Sequence, residues 1–367
     1  MKFSIERKKF LDALTIGASM AGKAKTVPIL ECVKCRVSGN DITFVSTDVE
    51  CWVLKRSTVI SSECDGEFCL NPSDITKALK SIKDDEVELL VTDSFASVKH
   101  SKGIVEFPSF DYKAFPIAIK GDNEQTITIK SELLFNWINK ARNFAANDDL
   151  RPVMNGMYLY INEGKIGVCA TDAHKLFTDF TDFDGDASIN VNAILSSRAF
   201  APLMNIVNGT NSVVMTLDNR NITFTTNDAK ISCRIVEGNY PNFKMILPSS
   251  SRITVNAMTS DLIGAINRVT MFTNITTSLV KLRTDNEVLI VSGQDINFNK
   301  KAEDSCDITL DGGNIEIGVK GDYMSTCLST ISSDAICLEM NDSNKPIVLK
   351  DAANPNTTIL IMPMLIS

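Results

Sequence analysis

Ile42-Thr43-Phe44-Val45-Ser46-Thr47-Asp48 is a strand-like stretch that occurs in related form three times along the chain. The three occurrences lie about 124 residues apart, which is the self-similarity expected of tandem domains. The other two copies are Gly167-Val168-Cys169-Ala170-Thr171-Asp172 and Val288-Leu289-Ile290-Val291-Ser292-Gly293. Each copy follows a helix-like apolar stretch and an earlier strand in the same order. The helix-like stretches are Phe10–Leu14, Leu133–Ile138 and Leu262–Ile266, and the earlier strands are Pro28–Leu30, Asn155–Tyr160 and Leu279–Leu282.

A second short helix follows in each copy, and two more strands then lead to an apolar or aromatic residue and Pro. The predicted second helices are Pro72–Ile82, Ser197–Val207 and Gly321–Ile331, and the closing pairs are Phe115-Pro116, Tyr240-Pro241 and Met362-Pro363. Polar, turn-rich joints occur near residues 120–123 and 248–251. The sequence therefore predicts three domains of one fold, over residues 1–121, 122–250 and 251–367, each with strands packed around two helices.

Composition indicates a soluble globular protein, with 44% hydrophobic and 22% charged residues. No apolar run approaches the length of a membrane span, and Met1-Lys2-Phe3-Ser4-Ile5-Glu6 does not have the form of a signal peptide. We expect a cytoplasmic protein that does not contact a membrane.

The ten cysteines are scattered singly, which favours free buried thiols over a disulfide framework. Cys32 and Cys35 form a CxxC, but they fall in an apparent strand, where residues three apart point to opposite faces. We expect no metal and no cofactor.

The net charge of −8 argues against nucleic-acid binding until its distribution is considered. The six predicted helices hold ten basic and six acidic residues, so they sum to +4 and the rest of the chain to −12. These helices are Glu6–Leu14, Ser73–Lys83, Ser131–Ala145, Ser196–Asn208, Ser260–Phe272 and Gly321–Ile331.

The clearest helix has an apolar face with Ile75, Leu79 and Ile82, and Lys77, Lys80 and Lys83 lie on the other side. These lysines form either an ordinary solvated face or a surface for backbone phosphates. Few aromatic residues accompany the basic positions, so contacts would be independent of base sequence.

Several motifs resemble the bacterial DNA polymerase III β sliding clamp family over the full length of the chain. They are Met1-Lys2-Phe3, Thr26-Val27-Pro28-Ile29-Leu30, Ala170-Thr171-Asp172-Ala173-His174-Lys175-Leu176, Glu237-Gly238-Asn239-Tyr240-Pro241-Asn242-Phe243, Ile246-Leu247-Pro248 and Met362-Pro363-Met364. The resemblance implies an α+β fold of three tandem DNA-clamp domains, each with two helices packed on antiparallel sheets. Two chains would close head to tail as a dimeric ring with helices lining the hole.

By the same resemblance the protein would be a DNA polymerase processivity factor that encircles double-stranded DNA without regard to sequence. Its expected partners are the replicative DNA polymerase, the clamp loader, repair polymerases, ligase, mismatch-repair proteins and a second copy of itself. The resemblance gives a peptide pocket that accepts Leu and Phe side chains of a short linear motif. Its residues would be Met154, Thr171, His174, Lys175, Leu176, Pro241, Met245, Ile246, Leu360, Met362, Pro363 and Met364.

The candidate DNA contacts are Lys23, Lys25, Lys77, Lys80, Arg151 and Arg198. The sequence departs from the family pattern at three places in or near the pocket. Lys175 replaces the commoner Arg, Ala173 replaces the commoner Gly, and Leu365-Ile366-Ser367 replaces the Arg-Leu ending found in many relatives.

Two other functions remain open from the residues alone. An enzyme could use Asp172 and His174 as acid and base with a cysteine nucleophile, although neither Ser nor Cys lies in an activated context. A non-catalytic scaffold that binds peptides but not DNA would share the pocket and lack the basic helix faces.

Overall fold

The structure is a computed structural model, and it describes residues 1–22, 27–118, 121–122, 124–148, 150–186 and 189–366. Six α-helices occur in these residues: α1 (Arg7–Gly17), α2 (Pro72–Ser81), α3 (Ser131–Ala141), α4 (Phe200–Val207), α5 (Thr259–Thr270) and α6 (Gly321–Leu328). None of the described helices is long and apolar enough to cross a bilayer.

Antiparallel strands make up most of the remaining regular structure. The first ten are β1 (Lys2–Glu6), β2 (Val33–Ser38), β3 (Asp41–Thr47), β4 (Cys51–Thr58), β5 (Ser61–Ser62), β6 (Gly66–Leu70), β7 (Glu86–Val91), β8 (Phe95–His100), β9 (Gly103–Phe110) and β10 (Gln125–Lys130). The next seven are β11 (Gly156–Asn162), β12 (Lys165–Thr171), β13 (Lys175–Asp182), β14 (Val191–Ser196), β15 (Ser212–Leu217), β16 (Asn221–Thr225) and β17 (Ala229–Arg234). The last eight are β18 (Ile253–Met258), β19 (Leu279–Asp285), β20 (Val288–Asp295), β21 (Lys300–Asp311), β22 (Glu316–Lys320), β23 (Ala335–Met340), β24 (Ile347–Asp351) and β25 (Asn354–Ile361).

The chain forms two compact units, and each combines segments from neighbouring sequence repeats. Unit 1 contains Met1–Ile138 and Leu195–Val236, and unit 2 contains Asn139–Ile194 and Glu237–Ser367. The strand order in unit 1 is β10-β15-β16-β17-β4-β3-β2-β6-β9-β8-β7-β1-β5, and in unit 2 it is β14-β11-β12-β13-β25-β24-β23-β18-β21-β20-β19-β22. The compact units are therefore a different division of the chain from the repeats.

In unit 1, α1 and α2 cover the sheet with apolar faces. The Phe10 ring of α1 lies 5.5 Å from the Phe44 ring of β3. In α2, Ile75 and Leu79 are buried while Lys77 and Lys80 are exposed, which confirms the predicted two-faced helix.

Local sequence explains the start of α2. The Asn71 side chain accepts a hydrogen bond from the Ser73 backbone N–H at 2.9 Å, and Pro72 occupies the first helical position. At the other end Ile82 is buried with an extended backbone. Lys83 therefore lies beyond the helix, and the prediction that it belongs to the helical lysine face is wrong.

Five of the six helices are shorter than the sequence predicts and α1 is longer, and the changed helix ends reduce the net charge of the helices. Glu6 ends β1, Arg142 follows α3, and Arg198 lies in a 3₁₀ turn over Ser197–Ala199. The six helices contain seven basic and five acidic residues, so their net charge is +2 instead of +4, and the other residues of the −8 chain sum to −10. The predicted contrast keeps its sign, but the net charge of the helices is half the predicted value.

Pro28–Leu30 is not a strand as the sequence predicts. It begins a 3₁₀ helix over Pro28–Glu31, because proline at the first helical position has a suitable φ and no N–H to leave unpaired. The strand β2 starts only at Val33, so Cys32 just precedes it. Cys35 packs in the main core of unit 1 and Cys32 in a separate cluster with Cys69 and Phe115, which confirms that they point to opposite faces.

The close contact between α1 and β3 provides a stability test. A Cβ at Gly17 would overlap the Cβ of Phe44, which cannot move away as a flexible side-chain end can. We expect Gly17→Ala to lower the free energy of unfolding by about 1–3 kcal/mol despite the better helix propensity of Ala. Urea denaturation measures this free energy of unfolding. Gly313→Ala is the control because a Cβ there meets nothing within 4 Å; equal stability of both variants would contradict the packing described.

Candidate functional site

The residues predicted for a peptide pocket start at a tight turn between β12 and β13. The Thr171 hydroxyl donates to the Lys175 carbonyl at 2.8 Å and accepts from the Ala173 N–H at 3.1 Å. One Asp172 carboxylate oxygen accepts from the His174 and Lys175 backbone N–H groups, both at 2.9 Å. Side chains thus satisfy the turn's backbone donors, and this fixes the position at which β13 begins.

The same turn occurs between β3 and β4 in unit 1. The Thr47 hydroxyl donates to the Cys51 carbonyl at 2.7 Å, and Asp48 accepts from the Glu50 and Cys51 N–H groups at 3.1 and 2.8 Å. Val49 and Ala173 occupy the same position, with φ of 79° and 76°. Left-handed backbone favours Gly, so the Ala173 departure from the family pattern is accommodated at some conformational cost.

Lys175 is buried beside the turn and held by charge and by aromatic rings. Its Nζ lies 2.6 Å from the second Asp172 carboxylate oxygen. The same ammonium lies 5.6 Å from the centre of the Phe144 ring and 5.2 Å from that of Tyr323. A buried cation needs such partners. Lys175 therefore stabilises the packing of this site in addition to being a candidate pocket residue.

Strand pairing brings the apolar candidates Leu176 and Leu360 together. Leu176 in β13 lies opposite Leu360 in β25, and Lys175 lies opposite Ile361. Leu176 and Leu360 belong to one buried cluster, whose other buried members are Tyr160, Cys169, Phe243 and Val348. Long-range pairing of two strands therefore creates an apolar floor beneath the turn.

The chain beyond β25 returns to the turn. The Met362 N–H donates to the His174 carbonyl at 2.8 Å, and the Met364 N–H donates to the Gly318 carbonyl at 2.7 Å. Met362 is 39% exposed, whereas Pro363 and Met364 are half-buried. The imidazole of His174 is exposed, and its ring centre lies 5.8 Å from that of Tyr323.

Three candidates lie on the short 3₁₀ segment Phe243–Met245 or beside it. Phe243 is buried, while Met245 is 82% exposed and Ile246 is 48% exposed. Pro241, which precedes the segment, lines a cavity with Tyr158. Met245 and Ile246 thus present apolar surface to solvent, next to the buried Phe243.

Met154 is not joined to the turn by the described hydrogen bonds. It ends a 3₁₀ turn, its N–H donates to the Arg151 carbonyl, and its carbonyl accepts from the Ala146 N–H, both at 2.9 Å. Sequence reasoning missed three aromatic residues: Phe144, which lies just beyond α3, Tyr323 in α6, and Tyr158, which shares its strand with Tyr160.

The geometry contradicts the acid-base pair considered for an enzyme. Asp172 is engaged by two backbone N–H groups and by Lys175, and its hydrogen bond to His174 goes to the backbone, not to the imidazole. Burial of the neighbouring Cys169 raises the pKa of its thiol far above the usual range, which opposes formation of a nucleophilic thiolate.

The other buried cysteines also have inert surroundings. Burial raises the pKa of the Cys32 thiol to about 11 and that of Cys69 to about 12. In the described parts of the chain, no group of three or more His, Cys, Asp or Glu residues is arranged to hold a metal.

The candidate DNA-contacting residues have diverse surroundings. Lys77 and Lys80 are exposed on α2, and Lys77 lies 3.6 Å from Asp74. Arg151 pairs with Asp148 at 3.0 Å, and Arg198 lies 3.5 Å from the fully buried Asp48 carboxylate. Lys23 and Lys25 lie outside the described residues.

Family models match nearly the whole chain in three consecutive segments. The N-terminal domain of the DNA polymerase III beta subunit matches residues 1–119, the central domain residues 128–242 and the C-terminal domain residues 244–365. The chain belongs to the DNA polymerase III beta subunit family. The predicted α+β fold of three tandem clamp domains is thereby confirmed. Proteins of this family are processivity factors of DNA replication and not enzymes.

Curated relatives of this beta-subunit family member are similar over its full length. It is 23% identical to the "Beta sliding clamp" of Pseudomonas aeruginosa, covering 99% of this chain and 100% of the relative. It is also 23% identical to the "Beta sliding clamp" of Staphylococcus epidermidis, with 99% of each covered.

Solved structures show the same fold. The P. aeruginosa DnaN sliding clamp bound to griselimycin superimposes with a TM-score of 0.95 at 23% identity, and the Bacillus subtilis DNA polymerase sliding clamp with 0.93 at 18% identity. Both comparisons cover 100% of each chain.

The buried pair at the turn supports a mutational prediction for this family member. Lys175→Ala would leave the Asp172 carboxylate without its cation, so we expect a loss of about 3 kcal/mol in the free energy of unfolding, measured by urea denaturation. Arg283→Ala is the control, because the exposed Arg283–Asp285 pair at 3.6 Å should contribute less than about 1 kcal/mol. Similar losses in the two variants would show that Lys175 has no special role.

Proposed function

We propose that two copies of this chain close head to tail into a ring that encircles double-stranded DNA and tethers the replicative DNA polymerase. The observation that supports it best is the succession of three beta-subunit domain matches along one chain. A ring holds DNA by topology, so weak phosphate contacts suffice and do not prevent sliding. We further propose that the domains span residues 1–121, 122–250 and 251–367 and that the protein works in the cytoplasm.

The exposed lysines of α2 are the proposed contacts with backbone phosphates. Lys77 and Lys80 stand away from the buried face of Ile75 and Leu79, so both can approach an anion without disturbing the core. The small net charge of the helices supports loose, sequence-independent contact. Lys23, Lys25, Arg151 and Arg198 complete the proposed set; Arg151 and Arg198 would first have to leave Asp148 and Asp48.

The proposed partner site is the surface around the Thr171–Lys175 turn. Leu176 and Leu360 form its floor, and the exposed Met245, Ile246 and Met362 offer adaptable apolar walls for Leu and Phe side chains. The set is Met154, Thr171, His174, Lys175, Leu176, Pro241, Met245, Ile246, Leu360, Met362, Pro363 and Met364. Its proposed ligands are linear motifs of the polymerase, the clamp loader, repair polymerases, ligase and mismatch-repair proteins.

One solved relative supports ligand binding by this fold. The P. aeruginosa clamp structure contains bound griselimycin, and its chain superimposes on this one over the full length. A peptide scaffold without DNA binding is the second candidate, because the helices have a net charge of only +2. Experiments with DNA distinguish the encircling ring from the peptide scaffold.

Lys80→Glu is expected to slow loading onto nicked circular DNA by about threefold to tenfold, because it replaces a phosphate contact with repulsion. Loading by the clamp loader is measured as the labelled protein that coelutes with DNA in gel filtration. Lys102→Glu, at an exposed hairpin position of unit 1, makes the same charge change away from α2 and should load normally.

Linearising the DNA after loading should release the protein, because a ring slides off a free end. Retention on linear DNA would contradict encirclement, and absence of any loading onto circles would favour the scaffold.

Met362→Ala is expected to weaken binding of a peptide with Leu and Phe anchors by about tenfold, because it removes apolar wall area. Fluorescence polarisation with a labelled peptide measures the Kd. Met258→Ala is the matched control, since Met258 is 49% exposed in the same unit at the end of β18. Equal affinity of wild type and Met362→Ala would remove Met362 from the site.

A further inference from the structure

A cavity in unit 2 is walled by tyrosines and shares only Pro241 with the proposed apolar pocket. Its volume is about 270 Å³, and it lies between β11 and the segment Tyr240–Lys244. Tyr158 and Tyr160 are two residues apart on β11 and so point to one face of the sheet. The Tyr240 ring stacks on Tyr158 with the ring centres 4.9 Å apart and the planes 7° from parallel.

The cavity is rigidly built. Phe243 contacts both tyrosines of β11, with ring centres 6.4 Å from Tyr158 and 6.0 Å from Tyr160. The Tyr158 hydroxyl donates to the side-chain oxygen of Asn192 at 2.6 Å, which joins β11 to its neighbour β14. Rotamers locked in this way preserve the space without a ligand.

The only charge among the residues that line the cavity is positive. Lys244 is the single charged residue among those lining the cavity, and the other polar groups are tyrosine hydroxyls and asparagine amides. The Lys244 ammonium lies 5.7 Å from the centre of the Tyr160 ring. In the described residues no carboxylate lies within ion-pair distance of it. Cation and amide donors without a carboxylate select an anionic group.

The cavity shares residues with the proposed peptide site. Tyr160 and Phe243 belong to the same buried cluster as Leu176 and Leu360, and Pro241 is both a pocket candidate and a wall residue of the cavity. A peptide whose apolar anchors lie over Leu176 can therefore extend its next residues toward Lys244. The volume suits one or two side chains and not a folded domain.

We propose that this cavity, the Tyr158–Lys244 cavity, binds an Asp or Glu side chain that flanks the apolar anchors of the partner's linear motif. The proposal rests on the proposed function of the neighbouring pocket. The aromatic walls contact the aliphatic stem, and Lys244 with the adjacent amides receives the carboxylate. The site would thus discriminate among partners by their flanking residues, whereas the apolar floor accepts them all.

Three labelled peptides test the proposal by fluorescence polarisation: an apolar core with Leu and Phe anchors, the same core preceded by two Glu, and the core followed by two Glu. We expect one flanked peptide to bind wild type about twofold to fivefold tighter than the core in 50 mM salt. The gain should vanish in Lys244→Gln and in 500 mM salt. It should persist in Lys345→Gln, because Lys345 is an exposed lysine elsewhere in unit 2.

Different results would overturn the acidic-residue site and the apolar pocket. No gain from either flank, or a gain that survives Lys244→Gln, would overturn the acidic-residue site while leaving the apolar pocket intact. Loss of the gain in both lysine variants would reduce it to general charge attraction and would also overturn the site. A core peptide that does not bind wild type would overturn the proposed pocket itself.

Discussion

Backbone pairing between strands of different repeats is the interaction on which the rest of this structure depends. In unit 1, β4 of the first repeat pairs with β17 of the second, with Cys51 opposite Cys233. In unit 2, β13 pairs with β25, with Lys175 opposite Ile361. Without these ladders each strand would expose a row of unpaired N–H and C=O groups, which folded proteins avoid. The first repeat therefore pairs with a strand of the second, and the second repeat pairs with a strand of the third.

One turn sets the start of both joining strands. The Thr-Asp pairs at residues 47–48 and 171–172 bind the same backbone groups in the same pattern. They differ in the cation that meets the Asp. Arg198 comes from a distant segment to approach Asp48, whereas Lys175 belongs to the turn itself and also meets two aromatic rings. The duplicated turn thus supports a joint in one unit and the floor of a candidate binding site in the other.

Sequence periodicity predicted the features that depend on local pattern. The buried Ile75 and Leu79 opposite the exposed Lys77 and Lys80 follow from helical geometry. Cys32 and Cys35 lie in separate clusters as predicted, although Cys32 precedes the strand β2 instead of belonging to it. Helix ends were less predictable, because a buried Ile82 with extended backbone stops α2 before Lys83. The local pattern also gave no indication that Pro28 begins a 3₁₀ helix.

Sequence periodicity does not predict contacts between residues that lie far apart in the sequence. Whether Lys175 meets Phe144 and Tyr323, and whether Tyr158 stacks on Tyr240, depends on strands and helices brought together by the whole fold. The pocket candidates came from a resemblance to a family, and their role stays a prediction. The charge of Arg151 and Arg198 was readable from sequence, but their acidic neighbours in space were not.

The thioethers around the proposed site also make it chemically sensitive. Met245 is 82% exposed and Met362 39% exposed, so both side chains are open to oxidants in solution. Oxidation to the sulfoxide turns a flexible apolar side chain into a polar one. An adaptable apolar wall would then lose its affinity for Leu and Phe while the buried Leu176 and Leu360 beneath it stayed intact. Oxidative stress would thus weaken partner binding without unfolding the protein, and reduction of the sulfoxides would restore it.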